Sequence, residues 1–198
     1  MTQIVVPFRG RSGKQRLEAS DDARARLSLA MLGDVLAAAT AVGRTLVVTG
    51  DADGRALAEE LGAEAVSVPR GGQGAAVGAA LELVEGTSLV INADVPCVVP
   101  HDLRTLAGAA ELGALGYVEA EDGTTNALGL PEPAHFAPLY GGGSAARFRD
   151  HAEELGLTAI SCAIHNLSDD VDTMDDLRRI GLRAGPRTLA ALGAVLQP

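Results

Sequence analysis

Lys14 is the one lysine among sixteen basic residues, and it lies in the run Phe8-Arg9-Gly10-Arg11-Ser12-Gly13-Lys14-Gln15-Arg16-Leu17. Four cations, Arg9, Arg11, Lys14 and Arg16, meet no acid there, in a chain of formal net charge -10. The run follows Ile4-Val5-Val6, which reads as a buried strand. Glycine lets backbone N–H groups approach a ligand closely. A cationic, glycine-bearing loop behind a first strand is where α/β proteins hold phosphates. A solvated surface turn is the plainer alternative. The loop is not a Walker loop, because its spacing is short and Gln15 stands where Ser or Thr belongs.

Carboxylates supply the second kind of chemistry. Asp94 ends the apolar run Ser88-Leu89-Val90-Ile91-Asn92-Ala93 and is followed by Val95-Pro96. A carboxylate at the C-terminal end of a central strand sits where open α/β sheets bind ligands. It is also a hard oxygen ligand suited to Mg²⁺ on nucleotide phosphates. In Asp169-Asp170-Val171-Asp172-Thr173, Asp170 and Asp172 alternate along an extended segment and can face one side. Paired carboxylates repel unless a cation or proton lies between them. The competing readings are a turn aspartate at 94 and a helix start at Asp172-Thr173, where acids are also favoured.

Three glycine-bearing stretches remain. Arg70-Gly71-Gly72-Gln73-Gly74 can lay its backbone against a flat base, or be an ordinary turn. Asp122-Gly123-Thr124-Thr125-Asn126, expected as a polar loop, and Tyr140-Gly141-Gly142-Gly143-Ser144 are rich in hydroxyls and glycine, and the second opens a helix. Together they form a plausible cradle for a second anion, with a capped helix start as the equal alternative for Ser144. Cys97 and His101 lack a second pair of ligands for zinc. No nucleophile–base pair can be assembled.

The elements that must position these residues alternate. Strands are expected at Gln3–Phe8, Arg44–Thr49, Glu64–Val68, Thr87–Asn92, Leu115–Ala120, Ala127–Leu130 and Thr158–Ile164. Helices are expected at Asp21–Ala41, Asp53–Leu61, Gln73–Val84, Pro100–Leu112, Ser144–Leu155, Thr173–Ile180 and Arg187–Leu196. That order predicts a parallel sheet with covering helices. A length of 198 residues fits a single domain, and 47% apolar residues suffice for its core. Aromatic residues at 3% leave no stacking platform for single-stranded nucleic acid, and the acidic balance argues against duplex binding. No apolar run is long enough to span a membrane, and the start lacks a secretory leader. With two cysteines and no disulfide framework, the expected location is cytoplasmic.

In this order, Phe8–Leu17, Asn92-Ala93-Asp94-Val95-Pro96, Asp122–Asn126, Gly141–Ser144 and Asp170-Val171-Asp172-Thr173 resemble a known family. It is the 2-phospholactate/phosphoenolpyruvate guanylyltransferases of deazaflavin coenzyme F-420 biosynthesis. The resemblance covers most of residues 3–180. The chain departs from it at Gln73-Gly74, where related sequences often carry Leu-Asn. The resemblance implies a three-layer αβα, Rossmann-like, GT-A-like nucleotidyltransferase fold with a mostly parallel sheet. It implies GTP as substrate, with its triphosphate against Arg11, Ser12, Gly13, Lys14 and Arg16 and its base near Gly72, Gln73 and Gly74. Lys14 and Asp94 would be catalytic. Mg²⁺ would be held by Asp94 with Asp170 or Asp172 or both. The phosphate of a small phospho-acid would attack, bound near Thr125, Gly141 and Ser144. The protein would be a monomer or homodimer that passes its product to the next enzyme of the pathway. Another nucleotidyltransferase of the same fold, acting on molybdopterin or a sugar phosphate, and a non-catalytic nucleotide binder are the alternatives.

Overall fold

The structure, a computed structural model, describes residues 2–10, 17, 19–67 and 71–196. Their strands are β1 (Gln3–Pro7), β2 (Arg44–Val48), β3 (Glu64–Val66), β4 (Ser88–Ile91), β5 (Leu115–Glu119), β6 (Thr125–Leu130) and β7 (Ala159–Ser161). Their α-helices are α1 (Asp21–Thr40), α2 (Ala52–Glu60), α3 (Gly72–Leu81), α4 (Pro100–Glu111), α5 (Ser144–Glu154), α6 (His165–Ser168), α7 (Met174–Ile180) and α8 (Pro186–Leu196). Among the described residues the strands form one seven-stranded sheet in the order β3-β2-β1-β4-β6-β5-β7. β6 runs antiparallel to both its neighbours, and the other pairings are parallel.

The central strands are apolar throughout because both of their faces are covered. Successive side chains point to opposite sides, and the core divides accordingly. Ile4, Val6, Leu89 and Ile91 pack with Leu32, Val35 and Leu36 of α1 and with Leu103 and Leu106 of α4. Val5 and Val90 pack on the other side with Val77 and Leu81 of α3 and Phe148 of α5. This is the expected three-layer, mostly parallel arrangement. A third cluster joins Leu27 and Met31 of α1 to Val171 and to Met174 and Leu177 of α7. α1 is therefore buried along two stripes.

Local chemistry sets the boundaries. Ser20 caps α1, its hydroxyl accepting from the Ala23 amide at 3.3 Å. α2 begins one residue earlier than expected because Asp51 caps it, accepting from the Gly54 amide at 2.8 Å. β3 stops at Val66, and the rest of the expected strand reaches into residues outside the description.

Two expectations are corrected. Thr125 and Asn126 do not form a loop but open β6, where pairing with β4 and β5 buries both. The expected strand Thr158–Ile164 ends at Ser161, and the chain turns into the four-residue α6. The reason is packing: Ile164 and Leu167 turn into the cluster under α1 and α4.

Candidate active site

The strand order places a crevice. From β1 the chain crosses through α1 to β2 on one side, and it returns through α3 to β4 on the other. Open α/β sheets bind ligands at such a reversal, beyond the carboxyl ends of the strands. A cleft of about 270 Å³ lies there. Pro7 to Gly10 behind β1 and Asn92 to Asp94 behind β4 form its floor. Ser28 and Met31 of α1, Gln73 of α3 and Asp172 complete its walls.

Gly10 marks where the cationic loop leaves β1. Its φ is +78°, and a Cβ there would stand 2.5 Å from Asp51 Oδ2. Both the left-handed backbone and the close approach demand glycine. Arg9, exposed, lines the cleft. Arg11, Ser12, Gly13, Lys14 and Arg16 lie outside the described residues.

Asp94, Asp170 and Asp172 converge: each offers a carboxylate oxygen, and these oxygens lie within 4.8 Å of one another. Val171 makes this possible. It is fully buried, and its amide donates to the Asp94 carbonyl at 3.0 Å, so its two flanking aspartates turn the same way. The helix cap that follows is Thr173, whose hydroxyl accepts from the Asp176 amide at 3.2 Å. Asp176 Oδ2 accepts in return from the Thr173 and Asp172 amides at 2.8 and 3.0 Å. Capping therefore does not consume the Asp172 carboxylate.

Asp169 goes elsewhere. It accepts from Arg179 and, at 2.6 Å, from Arg183. Burial works against its charge, but these two guanidinium bonds hold its carboxyl below the usual aspartate range.

The three aspartates suit a small hard cation. Mg²⁺ takes oxygen ligands at roughly 2.0–2.1 Å in an octahedron, so adjacent ligands stand about 2.9 Å apart and opposite ones about 4.2 Å. Carboxylate oxygens within 4.8 Å of one another would draw inward to share one ion, and waters or substrate oxygens would fill the remaining positions.

The other candidates sit around this centre. Gly72 is exposed with φ +82° and has open space where a side chain would be. Gly74 is packed instead, since a Cβ would meet Pro138 Cβ at 2.6 Å. Gln73 Nε2 donates to Asn92 Oδ1 at 2.8 Å, which ties α3 to the end of β4. Thr125 and Ser144 are brought together, their hydroxyls 2.9 Å apart and buried, so that they hold β6 to the first turn of α5. Gly141 is exposed, with φ +112°.

Several contributors are not evident in the sequence. Arg147 pins the glycine loop, donating to the carbonyls of Leu139 at 2.8 Å and Gly142 at 2.7 Å. Ser28 is almost wholly buried against the cleft, and its hydroxyl has no hydrogen-bond partner among the described residues. Asn92 and Asn126 link Gln73 to Asp170 through side-chain amides. Both asparagines lie inside conspicuous motifs, but only the folded chain shows that they meet.

Residues 2–188 match the family described as Guanylyl transferase CofC like. The chain belongs to this family. A phosphoenolpyruvate guanylyltransferase of Streptomyces scabiei is 38% identical, over 98% of this chain and 97% of that relative. A 2-phospho-L-lactate guanylyltransferase of Natrialba magadii is 32% identical, over 88% and 80%. Solved structures agree on the fold. A Desulfovibrio desulfuricans protein described as a nucleotide-diphospho-sugar transferase superposes with a TM-score of 0.78 at 16% identity, covering 98% and 94% of the two chains. A Methanothermobacter nucleotidyl transferase does so with 0.69 at 17% identity, covering 98% and 99%. This guanylyltransferase thus carries its cleft at the strand reversal and an acidic triad on the rim. No helix among its described residues is long and apolar enough to cross a membrane.

Proposed function

We propose that the enzyme transfers GMP from GTP to a small phosphorylated acid, phosphoenolpyruvate or 2-phospho-L-lactate, and releases pyrophosphate. The convergence of Asp94, Asp170 and Asp172 beside the cleft carries this reading. An oxygen of the acceptor's phosphate attacks the α-phosphorus, a new P–O bond forms, and the bond to the bridging oxygen of the β-phosphate breaks. The electron pair leaves with pyrophosphate. The attacking oxygen is already ionised, so no general base is needed. Positioning and charge neutralisation carry such a transfer.

The chain's residues divide that work. Lys14, Arg11 and Arg16, with Ser12 and Gly13, face the triphosphate. Gly72, Gln73 and Gly74 border the base. Asp94, Asp170 and Asp172 would hold Mg²⁺, which when bound would neutralise charge on the substrate phosphates and the leaving group. The exposed loop at Gly141, ordered by Arg147 and by the Thr125–Ser144 pair, receives the acceptor's anionic groups. The product joins guanosine to the acid through a phosphoanhydride. It passes to the next enzyme of deazaflavin coenzyme F-420 biosynthesis.

Pyrophosphate release tests the reading. Purified protein with Mg²⁺ and GTP is given phosphoenolpyruvate, 2-phospho-L-lactate or 3-phosphoglycerate in parallel, with Asp94→Asn as control. The expected result is release with one acceptor and a drop of at least about 10²-fold in the variant. Release that survives Asp94→Asn would remove the triad from the reaction. Silence with all three acceptors while GTP still binds would point to a different acceptor.

A further inference from the structure

A chain of three side-chain amides crosses the rim of the sheet and ends on one carboxylate of the triad. Gln73 Nε2 donates to Asn92 Oδ1 at 2.8 Å. Asn92 Nδ2 donates to Asn126 Oδ1 at 3.4 Å and to the Thr125 carbonyl at 3.3 Å. Asn126 Nδ2 donates to Asp170 Oδ1 at 3.3 Å and to the Ser168 carbonyl at 3.2 Å.

Each amide's orientation is fixed by a group that can only accept. The Ser168 carbonyl and the Asp170 carboxylate both require the NH₂ end of Asn126. Its Oδ1 must then face Asn92, whose own NH₂ is required by the Thr125 carbonyl. Asn92 Oδ1 is left for Gln73, which must donate. Reversing any one amide would set donor against donor or acceptor against acceptor, in a place where Asn126 is 2% exposed. A network satisfied in one direction only is rigid where it is buried, as it is at Asn126.

We infer that Asn126 is a positioning residue for the metal-binding carboxylate of Asp170, and that Asn92 and Gln73 hold Asn126 in the orientation this requires. The inference rests on the reading of the triad as the metal site. A bond to one carboxylate oxygen stops the group from turning about its own axis. The cation then meets a preset ligand instead of ordering one. Partners behind a metal ligand typically contribute 10–100-fold in affinity. The effect should fade along the chain, from Asn126, which touches the carboxylate, to Gln73, two amides away.

Mn²⁺ affinity, read by the loss of its free-ion EPR signal, tests this without any turnover. The titration is run on the protein without nucleotide, because a triphosphate would itself chelate Mn²⁺ and remove the free-ion signal. Wild type, Asp94→Asn, Asn126→Leu, Asn92→Leu and Gln73→Leu are compared, each checked for an unchanged far-UV spectrum. Wild type binds and Asp94→Asn does not. Asn126→Leu weakens Mn²⁺ by about tenfold or more, Asn92→Leu by less, and Gln73→Leu by least. In turnover, the Mg²⁺ concentration for half-maximal rate rises in the same order, whereas the acceptor KM does not.

If Asn126→Leu fails to fold, Asn92→Leu and Gln73→Leu carry the test, because both positions are only half-buried. Folded Asn126→Leu or Asn92→Leu with wild-type Mn²⁺ affinity, while Asp94→Asn has lost it, overturns the positioning role and leaves the metal site standing. Absence of Mn²⁺ binding by wild type overturns the metal site, and the positioning role with it.

Discussion

At the scale of the residue, proximity and charge do the work. Within the described residues Arg9 is exposed and lines the cleft from its open side. Lys14, five positions further along the chain, is the compact point charge suited to a phosphate. Lys14→Ala is therefore expected to cut turnover at saturating acceptor by about 10²-fold, the scale of losing one group that stabilises the transition state. Arg9→Ala should cost well under a tenth of that. Steady-state kinetics on the two variants decide it, and equal losses would reassign the role. The aspartates were the most legible part of the site. A carboxylate closing an apolar run, and two more flanking a valine, imply a shared direction by strand alternation alone. The amides were not legible. Gln73, Asn92 and Asn126 lie far apart in sequence, and asparagine near a turn has too many uses to announce one. The buried Ser28 hydroxyl was hidden for a similar reason, since a serine on a helix carries no sign of which stripe it occupies.

At the scale of the element, the apolar runs foretold the strands and their order along the chain. They did not foretell pairing direction. Thr125 and Asn126 are polar by type and looked like loop, yet β6 takes them in because β4 and β5 cover both edges of its backbone. α6 is one turn long, too short to leave a periodic signature. The tail helix α8 was legible, but its anchor was not. Buried Asp34 of α1 accepts from the Arg187 and Thr188 amides at 3.1 and 2.8 Å, and so caps α8 from another helix. Asp34→Ala strands those donors and is expected to lower unfolding free energy by about 1–3 kcal/mol in a urea titration.

The edge strand gives a contrasting case. Arg44 of β2 holds Glu64 of β3 through two bonds, at 2.7 and 2.8 Å. The guanidinium keeps the Glu64 carboxyl below its usual range, outweighing a small opposing effect of burial. A lowered carboxyl pKa stabilises the fold above the unfolded value and loses that contribution as pH falls through the folded value. Both side chains are largely exposed, so after solvent screening Glu64→Gln should cost at most about 1 kcal/mol at neutral pH. The difference from wild type should vanish in acid and shrink in high salt, as urea titrations across pH would register.

At the scale of the molecule, the cleft separates two stretches of one sheet. β1, β2 and β3 lie on one side of the β1–β4 boundary, with β4, β6, β5 and β7 on the other. A ligand lodged there touches both. Its binding is therefore linked to unfolding of the whole, and a nucleotide held at one hundred times its dissociation constant adds about 2.7 kcal/mol. GTP with Mg²⁺ is expected to raise the melting temperature of the wild type. The same addition to Asp94→Asn, or chelation of the metal in the wild type, should remove most of the shift. A formal charge of -10 would make a cation bound by the triad more than a local convenience. A polyanionic substrate approaches an acidic protein, and its own charge must be offset where it lands.

The reversed strand has one more consequence. A strand parallel to β4 would deliver its last residue to the rim, and any change in the loop beyond it would move whatever that loop carried. β6 delivers its first residues, whose register comes from the pairing of Ile91 with Ala127 and its successors. The turn ahead of it, around exposed Glu121 and Asp122, is upstream of that register. It is a natural graft point. A reporter group or a short foreign segment can be inserted there beside the cleft, while Asn126 and the carboxylates keep their places.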